Sequence, residues 1–292
     1  MKQTRMMLFT FLLVFSVFIF NTVLVFSNTQ IPKRVIAGTV AIAEILSKLN
    51  VNVIAVPTTS YELPREYQNL PRIGNPMRPD LEVIKSLKPD LFISDASLEN
   101  SLKNYLEDNK ISYKFVKLAS IDDLKRTIAE LGKILGKNAE AQRLLTDLNF
   151  REAKVLANIR GQKRPKVMII FGAPGNFMLA TEKSYVGSLA KKLGAINVVK
   201  SENAYVPINL ETLLAAQPDI ILRFSHGNNP EAVWALFEKE FKENKIWQSF
   251  NAVKNGKVYN LEPGYFGVAA NLKAIDALEK LAQILYSGSS GN

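Results

Sequence analysis

One thirteen-residue segment occurs twice in the chain. Leu81-Glu-Val-Ile-Lys-Ser-Leu-Lys-Pro-Asp-Leu-Phe-Ile93 aligns with Leu210-Glu-Thr-Leu-Leu-Ala-Ala-Gln-Pro-Asp-Ile-Ile-Leu222. Leu, Glu, Pro and Asp are identical, and three further positions exchange Leu with Ile. Each copy reads as a helix, a Pro-Asp turn and a buried strand. Pro cannot continue a helix, and Asp favours the turn. A repeated αβ unit predicts two lobes of similar topology. Chance recurrence of a common αβ turn is the bland alternative.

The residues around the repeat alternate in the same way. Strands are expected at 34–37, 51–56, 90–94, 112–116, 166–170 and 219–224. Helices are expected at 40–49, 81–87, 98–109, 121–135, 185–193 and 210–216. Residues 57–79 read as a long loop holding Pro57, Pro64, Pro71, Pro76 and Pro79. Such alternation argues for an α/β fold with mainly parallel sheet. Between the halves, Ala141, Leu144, Leu145, Leu148, Val155, Leu156 and Ile159 keep helical spacing, with no Gly or Pro before Gly161. This predicts one helix over 138–160, about 35 Å long, bridging the lobes. The expected organisation is an N-terminal segment 1–27, a lobe 28–136, an inter-lobe helix 137–160, a second lobe 161–286 and a low-complexity tail 287–292.

Composition removes several classes of protein. Apolar residues make up 47% of the chain and charged residues 22%, so wholesale disorder is excluded. The chain has no Cys and one His. Disulfide staples, cysteine-ligated zinc, iron–sulfur clusters and multi-His zinc sites are therefore excluded. No Gly-x-Ser-x-Gly elbow, P-loop or Gly-x-Gly-x-x-Gly occurs, so no enzyme class is indicated. The net charge of +10 is scattered among acids without a basic stripe, which argues against nucleic acid and favours anionic small ligands or anionic envelope polymers.

The N-terminus sets the compartment. Lys2 and Arg5 precede an apolar run from Leu8 to Phe26. This reads as an export signal cleaved after Ser27, or as a retained anchor of about 19 residues. Either reading makes the protein extracytoplasmic, and retention holds it at the cell membrane.

With the order of these features assembled, the chain resembles the substrate-binding proteins of iron-type ABC importers. The features that carry the resemblance are the 39–49 helix with Glu44, the two Pro-Asp units, the bridging helix and Ile246–Tyr259. The resemblance implies two Rossmann-like lobes joined by one rigid helix, with the ligand in the cleft between them. It also implies a monomer that delivers its ligand to a permease driven by an ATPase. Gly74-Asn-Pro-Met-Arg-Pro-Asp80 and Arg223-Phe-Ser-His-Gly227 are similar to the iron-ligand segments of the haem-binding branch. That likeness assigns Met77 and His226 as axial ligands of haem iron, with cell-surface haem donors as further partners. A siderophore or cobalamin carrier of the same importer class is the alternative.

The residue chemistry suits the assignment. His226 follows a strand, and in open α/β sheets ligands bind beyond the carboxyl ends of strands. Met77 sits between Pro76 and Pro79, which stiffen its loop. Taken alone, His226 can equally cap a surface and Met77 can equally fill core. A Met–His pair is nonetheless an established haem-iron ligation. For the propionates, the helix start at Thr39, Val40 and Ala41 offers N–H groups and a favourable dipole, and Thr59 and Ser60 add donors. Tyr61, Tyr265 and Phe266 are candidates to flank the porphyrin. Glu44 matches the family's permease-docking acid, and Ser188 replaces its counterpart in the second lobe. The resembled branch is lipid-anchored through a Cys, which this chain lacks.

Overall fold

The computed structural model describes residues 30–173, 176–225 and 230–286. The N-terminal half runs β1 (Val35–Ala37), α1 (Val40–Lys48), β2 (Val53–Ala55), β3 (Gly74–Asn75), β4 (Arg78–Pro79), α2 (Leu81–Ser86), β5 (Leu91–Asp95), α3 (Glu99–Asp108), β6 (Tyr113–Val116) and α4 (Ile121–Ile134). One long helix, α5 (Asn138–Asn158), follows. The C-terminal half runs β7 (Lys166–Ala173), β8 (Asn176–Ala180), α6 (Tyr185–Lys192), β9 (Ile196–Asn197), β10 (Tyr205–Pro207), α7 (Leu210–Leu214), β11 (Ile220–Ser225), α8 (Pro230–Glu243), α9 (Asn251–Lys254), β12 (Val258–Asn260) and α10 (Ala274–Tyr286).

The first sheet is parallel in the order β2-β1-β5-β6. The second has six strands. Its path is β10-β8-β7-β11-β12, with β9 pairing the start of β7. This sheet is mixed, because β8 and β10 run antiparallel to their neighbours. The two halves therefore share a parallel core and differ in that added pair.

The repeated segment has a structural basis. In both copies the Pro-Asp turn feeds a strand that pairs in parallel with the central strand of its sheet, β5 with β1 and β11 with β7. The Asp fixes the start of that central strand. The Asp90 carboxylate accepts from the N–H groups of Lys33 and Arg34, each at 2.9 Å, and Asp219 accepts from Lys166 N–H at 2.7 Å. The residue before each Pro, Lys88 or Gln217, has a positive φ (46° and 37°), which ends the helix.

One expectation needs correction. Residues 57–79 are not wholly loop, for they contain a 3-10 turn at Arg65–Tyr67 and the β3/β4 hairpin. The long helix α5 joins the halves as expected, and they also share packing. One apolar cluster runs through both sheets, containing Ile42 and Ile93 from the first half, Leu148 and Val155 from α5, and Ile169, Phe224 and Leu281 from the second. α5 is stopped by Gly161, whose φ of 82° disfavours other residues. Among the described residues, no helix is long and apolar enough to cross a membrane.

Candidate functional site

A cavity of about 1470 Å³ opens between residues of the two halves. Its volume exceeds the ~300–1,000 Å³ of a drug-sized pocket. Elements at the ends of parallel strands build it. The turn after β1 leads directly into α1. Gly38 makes that turn, where an added Cβ would lie 2.7 Å from Ser94 Oγ and 2.9 Å from Ile93 O. Thr39 then caps α1, its hydroxyl accepting from Ile42 N–H at 3.3 Å. Thr39, Val40 and Ala41 all stand on the cavity wall. The first N–H groups of a helix lack intrahelical acceptors, so this end of α1 can receive an anion.

Met77 lies in the two-residue turn between β3 and β4, on the same wall. Its side chain is 70% exposed, so it does not fill core. Its N–H donates to Asn75 Oδ1 at 2.9 Å. The Asn75 side chain thus closes an Asx turn on the Met backbone, and Pro76 restricts the turn further. The Gly74 carbonyl accepts from Thr58 N–H at 2.8 Å, tying the hairpin to the preceding segment. Asn75 was not read as a site residue, although Asn two places before Met is an Asx-turn signal.

The other candidates divide. Thr59 and Tyr61 line the cavity, and Thr59 Oγ1 accepts from Tyr61 N–H at 3.0 Å. Ser60 is exposed and does not line the cavity. Phe266 borders the cavity but is 2% exposed and belongs to the core. Tyr265 does not line it. Its ring packs beneath Lys280 and Lys273, with Nζ at 4.6 and 5.5 Å from the ring centroid, so the porphyrin-flanking expectation fails for Tyr265. His226 lies outside the described residues. β11, which leads to it, is buried throughout and ends at Ser225.

Glu44 also lies at the cleft. It shares a face of α1 with Val40, four residues earlier, and that face borders the cavity. The carboxylate is half-buried, accepts a bond from the Leu272 backbone N–H and lies near Lys273. Burial raises its pKa, while the Leu272 bond and the Lys273 charge oppose the rise. Its Oε2 is buried with no hydrogen-bond partner. A carboxylate so placed links the two sides of the cleft. Ser188, four residues after the α6 cap Ser184, also borders the cavity, and its hydroxyl donates to Tyr185 O at 2.7 Å.

The wall is not uniformly basic. Arg126 pairs with Asp123, and Lys183 with Glu202. Lys117 and Lys273, also on the wall, form no salt bridge among the described residues. Sequence reading had not singled out either lysine. Tyr205 borders the same space, and burial pushes its hydroxyl up to about 12, so it is neutral at ordinary pH. No group of three or more His, Asp or Glu capable of holding a free metal ion occurs among the described residues.

Two sheets sharing a cleft, with α5 spanning both halves, define a solute-binding protein. The chain belongs to the periplasmic binding protein family, whose model matches residues 35–265. It is 38% identical over 255 residues, 87% of each chain, to the high-affinity heme uptake system protein IsdE of Staphylococcus aureus strain bovine RF122 / ET3-1. Among solved structures it is similar to an ABC transporter substrate-binding protein from Listeria monocytogenes EGD-e, with a TM-score of 0.83 and 39% identity. That match covers 87% of this chain and 99% of the other. It is also similar to S. aureus IsdE complexed with heme, with a TM-score of 0.82, 38% identity and coverage of 87% and 98%.

Proposed function

We propose that this chain is the extracytoplasmic haem-binding protein of an ABC importer. It captures haem in the cleft and delivers it to a membrane permease without carrying out chemistry on it. The observation that carries the reading is Met77, a thioether 70% exposed on the wall of the large cavity and held on a braced two-residue turn. A soft sulfur so presented suits haem iron, which accepts Met opposite His. His226 supplies the second axial ligand in this reading. The start of α1 and the hydroxyl of Thr59 receive the propionates, with Lys117 and Lys273 as cationic partners on the same wall. The identity to a protein named for heme uptake, extending over 87% of both chains, supports the same ligand. Residues 1–27 direct export, and the ATPase of the importer drives transport.

The test is a haemin titration of residues 28–292 beside Met77→Ala and His226→Ala. A red-shifted Soret band saturating at one haem per chain is expected. Met77→Ala should lose the charge-transfer band of Met–His ligation and at least tenfold in affinity. Because Met77 is exposed, the same change should move stability by less than about 0.5 kcal/mol. Weak, unsaturable binding equal in all three proteins would refute the haem reading. A siderophore and cobalamin panel would then identify the ligand.

A further inference from the structure

Glu152 is the most enclosed carboxylate on α5, at 7% exposure, and nothing in the cavity accounts for it. Its two oxygens serve opposite sides of the molecule. Oε2 takes the ammonium of Lys125, from α4 in the first half. Oε1 takes the ammonium of Lys192, from the last turn of α6 in the second half, at 2.6 Å. Lys192 continues to Asp122 in the first turn of α4, at 2.9 and 3.2 Å. The run of pairs leaves α4 at Lys125 and returns to it at Asp122, so two acids and two bases, completed by the α4 backbone, make a ring across three helices. The lysine side chains are themselves largely enclosed, at 16% for Lys125 and 20% for Lys192.

Burial works against the charged form of Lys192, yet Glu152 and Asp122 together outweigh it and raise its pKa. Removing Glu152 leaves the enclosed Lys125 ammonium without an ion-pair partner among the described residues, a large penalty in a partly buried pair. The ring is also a spatial limit. Both lysines reach the one carboxylate only while α4 and α6 stay within side-chain length of α5, which bounds how far the two helices can part. Asp122 also borders the ligand cavity, so the ring meets the rim of the cleft.

We propose that Glu152 is a positioning residue for ligand binding, a joint that fixes the angle between the two halves and hence the width of the cleft. Apolar packing around α5 supplies cohesion, and the ring adds a polar tie that limits how far the two halves can turn. The proposal concerns geometry: its distance measurement on the ligand-free chain stands apart from the identity of the ligand, and its release measurement rests on the proposed haem reading.

The chain has no Cys, so paired spin labels can be placed cleanly. Asn104→Cys on α3 and Lys239→Cys on α8 put one label on an exposed site of each half. Pulsed electron–electron double resonance on the ligand-free chain reads the distance between them. The parent should give one narrow distribution. Glu152→Gln should at least double its width, and haemin release should accelerate about tenfold while the ligated spectrum at saturation stays unchanged. Lys192→Met and Lys125→Met each leave Glu152 with one lysine and should broaden the distribution by less; they carry the test if Glu152→Gln does not fold. Lys192→Arg, which keeps the charge, should restore the parent width. Widths equal to the parent in every folded variant, even with a lowered melting temperature, would overturn the proposal and leave the ring a stabilising contact only.

Discussion

Glu44 shows how one side chain can couple the cleft to pH. Its pKa is raised, with burial as the main cause. A carboxyl raised above its unfolded value of about 4.3 contributes stability below that value, and loses it as pH climbs through the folded pKa. Glu44→Gln mimics the neutral form and can still accept from Leu272 N–H. Melting curves of parent and variant should therefore coincide near pH 4, and the variant should melt higher at pH 8. A lower melting temperature for the variant at pH 8 would mean that the charged carboxylate is the favoured form. Asn75 makes a complementary point at the same scale. A polar residue of no apparent chemistry fixes the backbone of Met77, so its loss should blunt ligand binding through the turn rather than through direct contact.

Among the elements, the paired Pro-Asp units invite a comparison inside one molecule. Asp90 accepts two backbone N–H bonds at the start of β1, whereas Asp219 accepts one at the start of β7. Asp90→Ala should thus lower the melting temperature more than Asp219→Ala, a ranking that thermal denaturation reads directly. Those N–H groups also lower the pKa of Asp90. Its contribution is present above the unfolded carboxyl pKa and is lost as pH falls through the lowered one, so the difference between parent and Asp90→Ala should vanish at strongly acid pH. These units were legible in sequence because helix, breaker, turn and strand each leave a residue signature. The helix α5 was legible too, ending at Asn158 against an expected 160. The hairpin β3/β4 and strands β9 and β10 were not, because runs of two or three residues are too short for a period of two to emerge. The alternation also left α8 and α10 unassigned. At the site, the likeness of Gly74–Asp80 to the haem-binding branch pointed to Met77, and helix-terminus chemistry pointed to the start of α1. The wall lysines and the inward face of Glu44 depend on which half faces which, and no local pattern carries that.

For the whole molecule, the decisive feature is that the two sheets share one apolar cluster. Domains with separate cores melt separately, whereas a shared core couples them. Calorimetry of residues 28–292 should give one transition, with calorimetric and van't Hoff enthalpies in agreement. Two resolved transitions would show that the halves unfold independently despite their common core. The same cluster is completed by α10, which buries Ala274, Ile275, Ala277, Leu278, Leu281, Ala282 and Leu285 and packs against both α5 and α6. A ribosome makes this helix after every other element described above. Until it emerges, the nascent chain lacks the piece that closes its interior, so the first half can form strands and helices early yet cannot commit to its final packing. Maturation of the binding cleft thereby waits on the translation of α10, and a polypeptide truncated before Ala274 would remain a substrate for chaperones and proteases however complete its ligand-facing residues were.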